Sequence, residues 1–128
     1  MDPAEFRRQA HALVDWMSTY LEQVEHYPVL SRVAPGDVRR ALPRQAPERG
    51  EPFDAIFADV ERVLVPALTH WNHPGFFAYF ASSASPPGIL GEMLAAALNQ
   101  QAMLWKTSPA STELGGVARL APAPARIA

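Results

Sequence analysis

The sequence predicts a mainly helical chain interrupted by one short extended stretch. Three apolar runs recur at helical spacing, an aromatic block lies between the second and the third, and 13 prolines in 128 residues cut the chain too often for very long elements. In the first run Asp2 is an N-cap, Pro3 suits the first helical position, and Glu5 follows three residues after the cap. Phe6, Ala10, Leu13, Val14, Met17, Leu21 and Val24 share a face, so the spacing predicts a helix from Pro3 to about Glu25, stopping before Pro28. Burying that stripe is worth on the order of 10–15 kcal/mol. Ordering the backbone costs about 1–2 kcal/mol per residue, so the stripe must dock on another surface, in this chain or in another.

Residues 28–52 read as a linker, with Pro28, Pro35, Pro43, Pro47, Pro52, Gly36 and Gly50 spread along it. A stretch of that length without regular structure is unusual inside a compact domain and suits a strap over a larger surface. A second helix is predicted over Pro52 to Val65, where Phe53, Ile56, Phe57, Val60, Val63 and Leu64 share a face and Pro66 closes it. The run Phe76-Phe77-Ala78-Tyr79-Phe80 suits a short strand or extended segment. Ser82 to Pro87 is a polar turn. The third helix starts near Pro87, and Ile89, Leu90, Met93, Leu94, Ala97 and Leu98 leave it little polar face, which predicts burial on most sides. Near the end, Ser108-Pro109 and Glu113 announce a helix. Gly115-Gly116 and the Ala121-Pro122-Ala123-Pro124 tail then oppose it, so it is expected to last about two turns.

Composition removes several function classes. The net charge is -2 and no basic stripe with interleaved aromatics occurs, so no nucleic-acid partner is expected. No cysteine is present for disulfides or thiolate metal sites. The polar, acidic start is unlike a secretion signal and no apolar run approaches about 20 residues, which points to the cytoplasm and to no membrane partner. His70 and His73 lack a third ligand between Glu61 and Glu92, so they are read as capping turns or bonding to backbone, and no metal is expected. No serine occupies a Gly-x-Ser-x-Gly elbow, and no glycine-rich phosphate loop is present. The block Trp71, Phe76, Phe77, Tyr79, Phe80 admits two readings: a hydrophobic strand entering a core, or the wall of a pocket for a flat ligand with Tyr79 and Ser82 as polar handles.

Four ordered blocks carry a resemblance. Thr69-His70-Trp71-Asn72-His73-Pro74-Gly75-Phe76-Phe77-Ala78-Tyr79-Phe80 is similar to a signature near the start of the group II pyridoxal-phosphate-dependent decarboxylases, the aromatic L-amino acid decarboxylases above all. Trp105-Lys106-Thr107-Ser108-Pro109-Ala110-Ser111-Thr112-Glu113-Leu114 matches a second block at the expected distance. Glu5-Phe6-Arg7-Arg8 with Val14-Asp15-Trp16, and Val33-Ala34-Pro35-Gly36, fit as well, so the resemblance runs over residues 1–114.

The resemblance implies the N-terminal helical segment of a fold-type I pyridoxal-phosphate enzyme, truncated before its α/β cofactor domain. Residues 1–85 would be a helical dimerisation segment with the pocket-lining block, residues 86–114 the start of the large cofactor domain, and residues 115–128 an aberrant Ala/Pro-rich tail read out of frame. The helices would pack on a second copy of the subunit. Trp71, Tyr79, Phe80, Ala81 and Ser82 would contact the side chain or carboxylate of a small amino acid substrate, and Gln101 to Met103 would reach the partner's active site. The family often has proline where this chain has Ala81, and the lack of that ring loosens the turn. The implied reaction is decarboxylation of an aromatic L-amino acid to its amine with pyridoxal phosphate. The family's cofactor lysine follows a histidine far downstream. Lys106, the one lysine here, reads as a surface residue, so the chain is expected to be inactive alone and not to hold the cofactor stably. The alternatives are a non-catalytic helical dimerisation module and a remnant of a frameshifted gene.

Overall fold

Asp2 begins the first helix as the sequence demands: its carboxylate accepts the Glu5 N–H at 2.8 Å and Pro3 takes the first helical position. The computed structural model describes residues 1–80 and 84–120, with side chains as far as residue 116, and the chain divides into two units, residues 1–83 and 84–128. In the first unit, α1 (Pro3–Gln23) runs into a 3-10 turn, Val24–His26. Its covered side holds Leu13, Trp16, Met17, Tyr20, Leu21 and Val24, whereas Phe6 and Val14 are exposed. The face is rotated from the expected stripe because Trp16 and Tyr20, one turn apart, stack with centroids 5.4 Å apart and planes 5° apart, and together dock on the rest of the unit.

The linker contains one regular piece, the short helix α2 (Asp37–Ala41). Asp37 builds its entry by accepting the Ala34 N–H at 2.7 Å while its own N–H donates to the Ala34 carbonyl at 3.1 Å. Gly36, between them, has φ +93°, a conformation that side chains resist. The Val33-Ala34-Pro35-Gly36 block is thus a turn with a backbone requirement.

The second predicted helix is only partly α. Phe53–Asp59 forms α3, Val60–Leu64 widens to a π turn, and Val65–Ala67 tightens to 3-10. Pro66 supplies the cause: it has no N–H, and in a continuing α-helix its ring would meet the Arg62 carbonyl. The changed pitch turns both Val63 and Val65 inward, where they are buried.

No strand occurs among the described residues; the stretch from Phe76 to Phe80 is irregular and bends at Ala78 and Tyr79. The expected extended stretch therefore carries no sheet pairing, and Phe77 and Phe80 are fully exposed.

In the second unit, α4 (Pro86–Leu98) begins where the Ser85 hydroxyl accepts the Gly88 N–H at 3.3 Å and stops at Asn99, whose φ is +46°. Burial on most sides is not what the chain provides. Leu90, Met93, Leu94 and Leu98 are exposed and only Ile89 is half-covered, so an apolar helix stands without a partner surface. The last helix, α5 (Pro109–Leu120), does not stop after two turns but continues through Gly115 and Gly116. Two glycines cost only about 2 kcal/mol against alanine, too little to end a well-started helix before the prolines arrive. Residues 121–128, which include those prolines, lie outside the described residues, as do Ala81 and Ser82. Among the described residues no helix is long and apolar enough to cross a membrane.

Gly36→Ala forces a side chain into the left-handed region and is expected to destabilise the first unit by about 1–2 kcal/mol, read as a lower urea midpoint at unchanged slope.

Candidate functional site

The aromatic turn after the 3-10 segment is tied by His70 to α1 and by His73 to the Val24–His26 turn that follows α1. His70 is 1% exposed. Its Nδ1 shares a 2.8 Å hydrogen bond with the Tyr20 hydroxyl, and its ring lies 4.7 Å from that of Tyr27. Its backbone N–H donates to the Val29 carbonyl at 3.1 Å. At His73, Nδ1 accepts the Gly75 N–H at 2.8 Å, which leaves the ring hydrogen on Nε2 to be donated to the Glu25 carbonyl at 3.2 Å. His73 thus bonds to backbone as the sequence reading expected, whereas His70 pairs with a side chain. Gly75 is needed at this point because a Cβ there would stand 3.1 Å from His73 Nδ1 and 3.4 Å from Val29.

From that anchor the chain turns twice. The His73 N–H donates to the His70 carbonyl and the Phe76 N–H to the His73 carbonyl, each at 2.9 Å. Phe76 is carried inward to 9% exposure, and the Trp71 ring lies on it with centroids 4.9 Å apart. Tyr79 stacks on Trp71 at 5.9 Å with planes 8° apart, reached through a backbone φ of +57° that is uncommon for so large a residue. The result is a flat aromatic stack, Phe76–Trp71–Tyr79, whose inner ring is buried, whose middle ring is 44% exposed and whose outer ring is 87% exposed. Strain at an exposed ring of this kind is characteristic of ligand-contacting segments.

Of the expected pocket residues, Trp71 and Tyr79 are therefore brought together. Phe80 points into open solvent. Gln101 and Met103 lie in the second unit, on the irregular turn after α4, where the Gln101 carbonyl accepts from the Thr107 hydroxyl at 2.9 Å. The Tyr20–Tyr27–His70 group, in which His70 is buried and the tyrosines half-buried, was missed in the sequence; the hint was Trp16 and Tyr20 one turn apart beside the counted apolar stripe.

Burial pushes the His70 imidazole below its ordinary value of 6.5; His73 adds to this and the Val65 backbone opposes it. Burial, then Tyr27, pushes the Tyr20 hydroxyl above its ordinary value of 10.0. Both groups of the pair are held neutral at the pH of the cell.

A family model for the pyridoxal-dependent decarboxylase conserved domain matches residues 35–118. The chain belongs to this family. Phenylacetaldehyde synthase of Petunia hybrida is 50% identical over 117 residues, covering 91% of this chain and 23% of that protein. Among solved structures, Catharanthus roseus tryptophan decarboxylase with L-tryptophan superposes with a TM-score of 0.84 at 44% identity, over 91% of this chain and 24% of that one. Oryza sativa TDC with PLP and tryptamine gives a TM-score of 0.87 at 36% identity, over 92% of this chain and 25% of that one. The chain thus spans about a quarter of the length of the relatives it matches.

Pyridoxal phosphate is the family's cofactor. The described residues do not fit it on their own. The single lysine, Lys106, is exposed on the turn before α5, and the aromatic stack lies in the other unit. A lysine that is to bind a carbonyl cofactor needs a desolvated or charge-assisted setting, and Lys106 is exposed.

Two outcomes follow from this geometry. As pH falls below 6.5 the unfolded chain takes up the His70 proton before the folded chain does, so stability should fall until the lower folded value is passed and then level off. In His70→Phe that part of the pH dependence should vanish from thermal melts. Gly75→Ala should displace the His73 ring and destabilise the first unit by about 1–3 kcal/mol, seen as a lower melting temperature and a loss of near-ultraviolet aromatic signal.

Proposed function

We propose that this chain supplies the packing surfaces and an aromatic pocket wall of a pyridoxal-phosphate-dependent carboxy-lyase acting on an aromatic L-amino acid, and that it does not itself hold the cofactor. The observation that carries this reading is the Trp71 ring, fixed from beneath by buried Phe76 and flanked by Tyr79. A flat, partly exposed indole face suits the ring of an aromatic substrate by offset stacking, worth about 0.5–1.5 kcal/mol beyond the area buried. Trp71, Tyr79, Phe80, Ala81 and Ser82 would contact the side chain or carboxylate of the substrate, while Gln101 and Met103 would reach into the active site of a second subunit. The relatives that support the substrate class bear names of both kinds, a decarboxylase and an aldehyde synthase, so the product to be assayed is the amine or the corresponding aldehyde.

A second reading, a non-catalytic helical module that pairs with a copy of itself, is favoured by the bare apolar face of α4 and by exposed Phe6 and Val14 on α1. Both readings place a second subunit over these helices. They differ in whether the aromatic stack binds an amino acid.

The purified chain, supplied with pyridoxal phosphate and L-tyrosine, L-tryptophan, L-phenylalanine or L-dopa, should release carbon dioxide no faster than the free cofactor does. Turnover that disappears in Lys106→Ala would show that Lys106 anchors the cofactor and that the assignment of roles is wrong. Saturable shifts of Trp71 fluorescence by L-phenylalanine favour the pocket wall; self-association without any amino acid effect favours the module.

A further inference from the structure

We propose that Tyr20 and His70 are positioning residues for the aromatic wall, and that the hydrogen bond between them sets the turn that presents the Trp71 ring. The significance for substrate rests on the reading of Trp71 given above. The geometry does not. Residue 70 is held at three points: its N–H by the Val29 carbonyl at 3.1 Å, its ring by the Tyr20 hydroxyl at 2.8 Å, and its carbonyl by the His73 N–H at 2.9 Å. Trp71 is the next residue, and the ring beneath it, Phe76, is hydrogen-bonded back to His73. The outer neighbour, Tyr79, is 87% exposed and gives little restraint, so the orientation of Trp71 is set from the His70 side.

Tyr20 is itself fixed. It stacks on Trp16, and Trp16 Nε1 donates to Glu61 Oε1 at 2.9 Å, on the π turn that Pro66 forces. A line of contacts therefore runs from Glu61 through Trp16, Tyr20 and His70 to Trp71. His70 Nε2 has no hydrogen bond of normal geometry among the described residues, and the Val65 backbone acts on the ring only more loosely, so the bond at Nδ1 is the well-formed one that orients the imidazole. An imidazole used only to fill space would be replaced at little cost by an apolar ring, whereas removing the tyrosine hydroxyl strands a buried polar atom.

The test uses the full chain labelled with 5-fluorotryptophan, whose three fluorine signals are assigned to Trp16, Trp71 and Trp105 by single Trp→Phe variants. Tyr20→Phe keeps the ring stack and removes the hydroxyl; it should shift and broaden the Trp71 signal and leave Trp105 unmoved. His70→Asn places an amide near the position of Nδ1 and should retain a Trp71 signal close to wild type, which a space-filling role does not predict. In wild type the Trp71 signal should also move as pH falls below 6.5, and it should stop doing so in His70→Asn. The titratable groups facing His70 are Tyr20 on α1, Tyr27 after the 3-10 turn and His73 in its own turn, none of them a carboxylate. Should Tyr20→Phe fail to fold, the pH response and the His70→Asn comparison decide the matter. A Trp71 signal indifferent to Tyr20→Phe and to pH overturns the proposal. If Tyr20→Phe moves that signal but added L-phenylalanine does not, positioning stands and the wall reading falls. The reverse pattern removes positioning and keeps the wall.

Discussion

The first unit depends on how one imidazole is accommodated. Burying His70 removes it from water, and that is tolerable only because it is neutral and one ring nitrogen is paired with Tyr20. The pair joins α1 to the turn at residues 70–76, two segments about fifty positions apart in sequence, through a contact with direction as well as area. Apolar packing alone would allow the turn to slide along the helix, because dispersion between rings varies slowly with displacement. A hydrogen bond at 2.8 Å does not permit that, and the Val29 carbonyl on the backbone N–H closes the remaining freedom. Trp16, stacked on Tyr20 and edge-on to Phe57, and the tilted Tyr27 ring then shield the pair from water, so that polar specificity and apolar exclusion reinforce each other.

The rest of the molecule shows the opposite condition. The buried apolar side chains among the described residues are Val24, Val63, Val65 and Phe76, all in the first unit. No such residue lies on α4, although its sequence is more apolar than that of α1. Helix formation there is secured locally, by the Ser85 cap, the prolines of the first turn and the left-handed Asn99, rather than by packing. Local signals can shape a helix, but an exposed row of leucines at 57–60% is the surface of something meant to be covered. The proposed second subunit answers that physical need.

Much of this was legible in the sequence because it is written in local chemistry. Asp2, Pro87 and Pro109 mark helix starts that the structure retains to within a residue, and the four family blocks give the turn and its neighbours their context. What escaped was non-local or cumulative. The covered face of α1 turns toward Trp16 and Tyr20 because of partners at Glu61, Phe57 and His70, which no periodicity within the helix reveals. The π turn arises from the conflict between a helical apolar pattern and Pro66, and a pattern count registers only that the helix ends. The passage of α5 through Gly115 and Gly116 was lost by treating glycine as a stop, when about 1 kcal/mol per glycine weakens a helix already begun without ending it. Tyr79 could not have been read as left-handed, since nothing in its type favours that conformation.

The stack at Trp71 also limits what such a wall can decide. Its faces are apolar, and the two neighbouring histidines are either engaged, as at His73, or buried away, as at His70. Stacking area distinguishes a flat ring from an aliphatic side chain of similar length, since only the former matches the indole plane. It discriminates poorly among flat rings, because an added hydroxyl that finds no partner and no clash changes the free energy by only a few kcal/mol at most. Under the proposed reading, these residues select aromatic character, and the choice of one aromatic amino acid over another falls to hydrogen-bonding groups at the far edge of the ring. A wall of this kind must above all be held still, since an offset stack loses its advantage when the lower ring tilts. That places the selective weight of this segment on the anchor behind Trp71 as much as on the face it presents.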